Sequence, residues 1–494
     1  MKEIKKILVA NRGEIALRVM RSARQMGIQT VAVYSDIDRN APHVRYADEA
    51  VCLGEANASV SYLNIDKIVK VCLEQHVDAV HPGYGFLSEN PLFANALANN
   101  GIKLIGPSAR SMELMGDKLT SKQLLEKHQV PMVPGLNEAV RDLSKAKQVA
   151  KEIGYPVMIK ASAGGGGKGM RIIESEQELE SMMERAKSEA ASAFGNDAVF
   201  IEKFVTNPKH IEVQVLADQY GNTIHLFERE CSVQRRHQKV IEEAPSAVLT
   251  EEKRKEIGEA AVRVAKACDY EGAGTVEFMV DQDLNFYFLE MNTRLQVEHC
   301  VTEEITGVDL VKEQIKVARG EKLSIEQDQL KIHGHAVEVR VYAEDPQNNF
   351  LPSTGELKVY VRPQGPGVRV DDGMELGMKV TTHYDPMIGK LIAKGANREE
   401  AIDRLIQAIN NFRIGGVETT LQFCKFALNH EAFRSGKFDT GFVGKYFQPE
   451  ILQEVDEPTM LAAAIAAVSS LDEGTKTPFF TNQKSMAWAS RKSY

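Results

Sequence analysis

The chain has 494 residues, 43% of them hydrophobic and 26% charged, with a formal net charge of −9. That length exceeds what one hydrophobic core usually supports, so roughly two to four compact units are expected, and the acidic balance argues against nucleic acid as a partner. No apolar run approaches the roughly 20 residues that span a bilayer, and MKEIKK at 1–6 leads into a strand rather than a secretory signal, so no membrane is expected and a cytoplasmic protein is. Six cysteines, at 52, 72, 231, 268, 300 and 424, lie far apart without a Cys-x-x-Cys, and reduced thiols are expected rather than a disulfide framework or a zinc cluster.

ILVA at 7–10, followed by Asn11 to Glu14 and by Ile15, Val19 and Met26 at helical spacing, predicts strand, tight turn and amphipathic helix. TVAVY at 30–34, VDAV at 77–80 and KLI at 103–105 repeat the strand pattern, with helices predicted over 62–74 and 91–99. Residues 1–115 are therefore expected to form a doubly wound, Rossmann-like domain. No Gly-x-Gly-x-x-Gly follows the first strand, which disfavours dinucleotide binding and leaves this unit as one wall of a site at its strand ends. HPGYGFLSE at 81–89 holds Tyr84 near that edge, unless the turn is purely structural.

A helix is predicted over 119–128, and VPMVPG at 130–135 breaks the chain, so 116–134 reads as a linker. YPVMIK at 155–160 is a strand ending in Lys160, and four glycines at 164–167, then Lys168, precede a second strand, RII at 171–173. Gly165, Gly166 and Gly167 would offer backbone N–H groups to a polyphosphate, as a lid within a domain at 135–204; a flexible linker is the alternative, and no P-loop motif is present. Residues 200–204 read as a connector placing Glu202 and Lys203 at a hinge, with a strand over 209–215. CSVQRRHQKV at 231–240 clusters Arg235, Arg236, His237 and Lys239, either a solvated basic loop or cationic partners for phosphate or bicarbonate.

After a helix over 250–268, TVEFMV at 275–280 and FYFLE at 286–290 flank the turn residues 281–285, which predicts a hairpin folded about Asp283 and Leu284. That fold sets Glu277 opposite Glu290, and opposed like charges want a cation between them, Mg²⁺ above all; a slipped register with both carboxylates in water is the alternative. The strand is expected to run on, so that Glu290, Asn292, Arg294, Gln296 and Glu298 share one face. Residues 205–448 are taken as a mixed α+β body. Within it a strand over 335–343 carries Arg340, pointing inward or lying at the surface; short strands follow over 355–391, then a helix over 400–412. The tail at 449–494 holds a predicted helix over 460–468 and the only tryptophan, Trp488.

Taken together these residues resemble the biotin carboxylase family of ATP-grasp enzymes, over residues 1 to about 448. The resemblance rests on ANRGEIA at 10–16, HPGYGFLSEN at 81–90, MGDK at 115–118, GGGGKGM at 164–170, QRRHQK at 234–239 and EMNTRLQVE at 290–298. It implies an α/β and α+β multidomain ATP-grasp protein: a free-standing carboxylase subunit that carboxylates biotin on a separate biotin carboxyl carrier protein, using ATP, bicarbonate and Mg²⁺ or Mn²⁺. A homodimer is implied, as is a carboxyltransferase subunit that delivers the carboxyl group to acetyl-CoA or propionyl-CoA, or alternatively to pyruvate. By similarity Lys118, Lys160, Glu202, Lys203, His210, Gln234 and His237 fall on ATP positions, and Glu277, Glu290 and Asn292 on metal positions. Lys239, Arg294, Gln296, Val297 and Glu298 fall on the bicarbonate pocket with Glu298 as general base, and Arg340 and Tyr84 lie toward biotin. Cys300 departs from the family's usual proline. Lys379, in GMKV at 377–380, resembles a carrier's biotinylated turn only superficially, so no biotin is expected on this chain. The rivals are another ATP-grasp ligase and a non-catalytic nucleotide-binding regulator.

Overall fold

Short runs buried on both faces build the first sheet, as parallel strands covered by helices require. β1 (Lys6–Val9), β2 (Gln29–Ser35), β3 (Glu49–Gly54), β4 (Ala79–His81) and β5 (Lys103–Leu104) pair in parallel in the order β3-β2-β1-β4-β5. Ile7, Val9 and Ala32 pack on one side against Ile15 and Val19 of α1 (Gly13–Gln25), while Leu8, Val31 and Val80 pack on the other against Tyr62, Ile68 and Phe93. The sequence reading contains no β3, an edge strand whose side chains are mostly part-exposed or exposed. Strand order reverses between β1 and β4, so a crevice opens at their carboxyl ends, beside Asn11 and Tyr84.

The structure is a computed structural model that describes residues 3–136, 138–140, 142–161, 170–195 and 197–453. The glycine run with Gly165, Gly166, Gly167 and Lys168, and the tail with its expected helix and Trp488, lie outside the described residues. Residues 1–447 make one compact unit and a second begins at Gln448. Among the described residues no helix is long and apolar enough to cross a membrane, and all six cysteines are free thiols.

β6 (Val157–Ala161), β7 (Arg171–Ile173) and β8 (Val199–Lys203) form a small antiparallel sheet in the order β7-β6-β8. Residues 199–203 are thus a strand, not the expected connector, because their apolar side chains pack into the core of this sheet.

The main sheet is antiparallel and has eight strands. In order they are β13 (Phe286–Asn292), β12 (Gly272–Val280), β9 (Lys209–Ala217), β10 (Thr223–Arg235), β11 (Gln238–Ala244), β14 (His335–Tyr342), β16 (Met387–Gly395) and β15 (Val368–Asp372). One face is apolar: Ile211, Val213, Val276 and Phe278 pack on α3 (Glu251–Ala267), α2 being the helix Lys118–Glu126. Farther along, Val337, Val339 and Leu391 pack on Ile402 and Leu405 of the helix Arg398–Asn411. The opposite face is polar. Directly opposed residues share a face, and the registers align Glu290, Glu277, Glu212 and Arg229 in one row and Arg340, Lys390 and Asp371 in another.

Candidate active site

The hairpin at the sheet's edge is set by its own turn: Asp281 Oδ1 accepts from the N–H groups of Asp283 and Asn285, both at 2.9 Å, and Leu284 takes φ 60°. Glu277 and Glu290 come out directly opposed, so the register is the expected one. The strand does not run on to His299. It ends at Asn292, where Glu89 Oε1 takes the Thr293 N–H at 2.9 Å in place of a ladder bond, and Arg294 to Glu298 form a loop leading into α4 (His299–Thr306).

That loop nevertheless delivers Gln296 and Glu298 to the polar face. Glu298 is buried; its Oε1 accepts from Lys239 Nζ at 2.6 Å and its Oε2 from Arg340 Nη2 at 3.0 Å. Burial and the charge of Glu212 would raise the Glu298 carboxyl, but Lys239 and Arg340 outweigh them and hold it below its usual range, ionised. Lys239 Nζ also reaches Glu277 Oε1 at 3.0 Å and Glu212. Gln296 donates to Glu277 Oε1 at 2.9 Å and accepts from Arg229 Nη2 at 2.8 Å. Arg294 is engaged elsewhere, with Nε on Glu89 Oε2 at 2.8 Å and Nη2 on Asn292 Oδ1 at 2.9 Å. The Val297 carbonyl accepts from Lys390 Nζ at 2.8 Å.

Only the tip of the basic segment is a loop: Arg235 and Lys239 lie in strands, and Arg236 and His237 make the turn with φ 49° and 66°. A cavity of about 480 Å³ beside this turn is lined by Lys160, Glu202, Lys203, His210, Gln234 and His237, with Met158, Met279 and Leu289 as apolar walls. Glu202 is buried and paired with Lys122 Nζ at 2.6 Å and with Lys160, which together overcome burial and keep it below the usual carboxylate range. Lys203 Nζ is tied to the carbonyls of Gly154 and Tyr155, at 2.8 and 3.1 Å. His210 Nε2 lies 3.2 Å from Glu277 Oε2 and its Nδ1 lies 3.0 Å from the Gln234 amide. Burial alone would lower His210, but Glu277 wins and lifts it to about 9.

Metal binding is expected at Glu277, Glu290 and Asn292, and their state fits it. Glu277 is held well below its usual range by Lys239 and His210 despite burial. Glu290 is raised, by partial desolvation first and by the charge of Glu277 second, with the more distant Lys118 opposing. No hydrogen bond or ion pair to the Glu290 carboxylate is formed among the described residues, Asn292 adds an amide to the set, and hard oxygen donors are what Mg²⁺ requires.

A second cavity, of about 410 Å³, opens at the β1/β4 crevice and is lined by Asn11, Glu14, Tyr84, Arg294, Val297 and Arg340. Asn11 Nδ2 donates to the carbonyls of Pro82 and Tyr84, both at 2.8 Å, and a Cβ on Gly83 would sit 2.8 Å from that amide, so the turn needs glycine. The Tyr84 hydroxyl bonds Glu14. Arg340 points inward and is buried, with Nε on Glu242 Oε1 at 2.6 Å and Nη1 on the Tyr342 hydroxyl at 3.3 Å. Lys239, Glu298 and Arg340 thus form a charged chain that reaches this cavity at Arg340 and is joined to the first through Glu277 and His210.

Sequence reasoning missed the residues behind this charged chain. Arg229 is wholly buried and makes five hydrogen bonds, to Glu212, Gln214, Thr302, Thr275 and Gln296. The alternation of His210, Glu212 and Gln214 with Ile211, Val213 and Val215 was a readable signal for Glu212. Glu242 and Glu89 carried none.

Three sequence profiles match in succession: "Biotin carboxylase, N-terminal domain" over 3–112, "Carbamoyl-phosphate synthase L chain, ATP binding domain" over 117–326, and "Biotin carboxylase C-terminal domain" over 338–445. The chain belongs to the biotin carboxylase family. It is 54% identical over 441 residues to a pyruvate carboxylase subunit of Methanothermobacter thermautotrophicus, covering 89% of this chain and 90% of that one. It is 51% identical over 438 residues to biotin carboxylase of Nostoc sp., covering 89% and 98%. The biotin carboxylase domain dimer of Hydrogenobacter thermophilus 2-oxoglutarate carboxylase, crystallised with MgADP, ADP and bicarbonate, superposes with a TM-score of 0.86 at 47% identity, covering 92% of this chain and all of that one. The fold is that of ATP-grasp biotin carboxylases, a parallel N-terminal sheet followed by antiparallel ones, and the family's activity is that of an ATP-dependent ligase.

Proposed function

We propose that this chain uses ATP and bicarbonate to carboxylate biotin presented by a separate carrier protein, as one subunit of an acyl-CoA carboxylase acting on acetyl-CoA or propionyl-CoA. The observation that supports it is the charged chain Lys239–Glu298–Arg340, in which an ionised carboxylate sits beside the Arg340 cavity and is linked through Glu277 and His210 to the other. The 54% relative named for pyruvate carboxylase supports a second reading for the acceptor, pyruvate. A homodimer, and a carboxyltransferase partner that fixes the acceptor, belong to the same proposal, as do the domain limits 1–115, 135–204 and 205–448.

Bicarbonate is a stable anion and a poor nucleophile, so the site must remove its proton while holding its charge. Glu298 takes that proton on a carboxylate oxygen, and Lys239 and Arg294 hold the anion against the γ-phosphate. In doing so Lys239 and Arg294 exchange their contacts with Glu277 and Glu89 for substrate. Bound at Glu277, Glu290 and Asn292, Mg²⁺ or Mn²⁺ would neutralise phosphate charge during transfer. Lys160, Lys118 and His237 face the phosphates, and Glu202, Lys203 and His210 with Gln234 the nucleoside. The bicarbonate oxygen bonds the γ-phosphorus as ADP leaves, and the carboxyphosphate so formed breaks to phosphate and CO₂, to whose carbon the ureido nitrogen of biotin bonds. That phosphate accepts the ureido proton of biotin, whose developing oxygen charge Arg340 meets, with Tyr84 forming the wall beneath the ring.

The test is ADP release with free biotin. Release that depends on bicarbonate supports the reading; dependence on an amine, or no turnover, refutes it. Co-purification of a carboxyltransferase from native cells identifies the acceptor.

A further inference from the structure

Two further glutamates face each other in the middle of the main sheet. β11 and β14 pair so that Glu242 lies directly opposite Glu338, and both are wholly buried. Glu242 Oε1 accepts from Arg340 Nε at 2.6 Å, but Glu242 Oε2 and both oxygens of Glu338 have no hydrogen-bond partner. Ala336 and Ile392, flanking Glu338 on its own face, pack with Cys300, Val301 and Ile305 of α4, so that side of the carboxyl is apolar, and no cation bonds it although Lys390 and Arg340 act on it through space. An isolated carboxylate in such surroundings costs far more than a neutral acid, so the group keeps its proton instead.

We propose that Glu242 and Glu338 share one proton, resident on Glu338, and that the pair positions Arg340: ionised Glu242 fixes the guanidinium, and neutral Glu338 spares Glu242 a facing like charge. Glu242 and Glu338 are positioning residues, acting through Arg340, and the proposal rests on the biotin carboxylase reading for its functional half. Burial lifts both carboxyls, with Arg340 opposing at Glu242 and Lys390 at Glu338; the charge of Glu242 raises Glu338 further, and that of Glu298 raises both.

The charged groups facing the pair are Lys239, Arg340 and Lys390 in the sheet and Glu298 in the loop. The weaker titrating neighbours are Tyr342 and the thiols of Cys231, Cys300 and Cys424. Loss of the shared proton places a second negative charge against Glu298 and Arg340, which weakens the guanidinium's hold on a developing oxyanion. Turnover therefore falls on the alkaline side as the pair loses its proton.

Isotope-edited infrared spectroscopy of the full chain labelled at glutamate tests this at pH 8. A protonated-carboxyl stretch that shifts in D₂O and disappears in Glu338→Gln is expected; its persistence in that variant, or its absence from the wild type, overturns the shared proton. Should Glu338→Gln not fold, Glu338→Met fits the same apolar surroundings and serves the same comparison. In the biotin-dependent assay the alkaline limb of the pH profile should move to higher pH in the variant, and an unmoved limb overturns the positioning role. The spectroscopic arm needs no turnover, so the band can stand even if the chain proves not to carboxylate biotin.

Discussion

Glu277 with Glu290 and Glu242 with Glu338 are the same local arrangement, two glutamates directly opposed across an antiparallel ladder in one sheet, and they end in opposite states. At the sheet's edge Glu277 is surrounded by Lys239, His210, Asn292 and Gln296, and Glu290 is open to solvent. In the sheet's middle the second pair takes a single hydrogen bond, from Arg340, packs beside apolar residues and leaves three carboxyl oxygens without a partner. Cations and water keep carboxylates charged; an apolar enclosure makes one of them an acid. Register alone does not make a metal site, and what surrounds the pair decides.

Glu298, bonded to Lys239 on one side and Arg340 on the other, belongs to both surroundings, so its loss should be the largest effect. Glu298→Gln is expected to cut bicarbonate-dependent ATP hydrolysis by about 10²-fold or more while leaving nucleotide binding, read by fluorescence titration, near normal. Next comes the edge pair. Glu290→Gln should raise the Mg²⁺ requirement at least about tenfold; an unchanged Mg²⁺ titration would mean this pair is not a metal site.

The enclosed pair should show the reverse behaviour in stability. A carboxyl raised in the folded state binds more protons there than in the unfolded chain, so stability falls as pH rises from the unfolded value, about 4.3, toward the folded one. Glu338→Gln removes that loss. Urea midpoints should show the variant gaining about 1 kcal/mol or more over wild type at pH 8, and less at pH 5. A variant equally or less stable at pH 8 would place Glu338 in the charged class with Glu277. The smallest effect is expected at Cys300, in the first turn of α4 with its Sγ 3.1 Å from Lys390 Nζ and 3.3 Å from Asp371 Oδ2. Proline is tolerated in a first helical turn, so Cys300→Pro should change stability by less than about 1 kcal/mol by the same urea titration.

The contrast also explains what the sequence could reveal. The edge pair was legible because five turn residues separate its strands and Asp281 locks that turn, which makes the register a local matter. Glu242 and Glu338 are brought together by pairing strands from distant parts of the chain, and no local pattern announces that. The expectation that the strand continued through Glu298 failed for a related reason: the bond that ends it comes from Glu89, about two hundred residues earlier in the chain. The parallel sheet was readable from its apolar runs, except for β3 with its exposed face. Arg229 was invisible because a charged residue within a strand ordinarily points to water, and its five acceptors come together only when β9, β12, the loop with Gln296 and α4 assemble around it.

The main sheet draws β9 to β13 from residues 209–292 and β14 to β16 from residues 335–395, and β11 pairs with β14 across that division. A gene split between residues 320 and 335 would therefore not yield two self-sufficient modules. The first fragment would end its sheet at β11, presenting an unpaired strand whose Ile241 and Glu242 are meant to be covered, and such edges recruit other chains. The second would carry Arg340 without Glu298 and Glu242, the carboxylates it bonds. Reassembly of two such polypeptides would have to proceed by strand addition, and subdivision of this enzyme during evolution or engineering is accordingly confined to points outside residues 209–395.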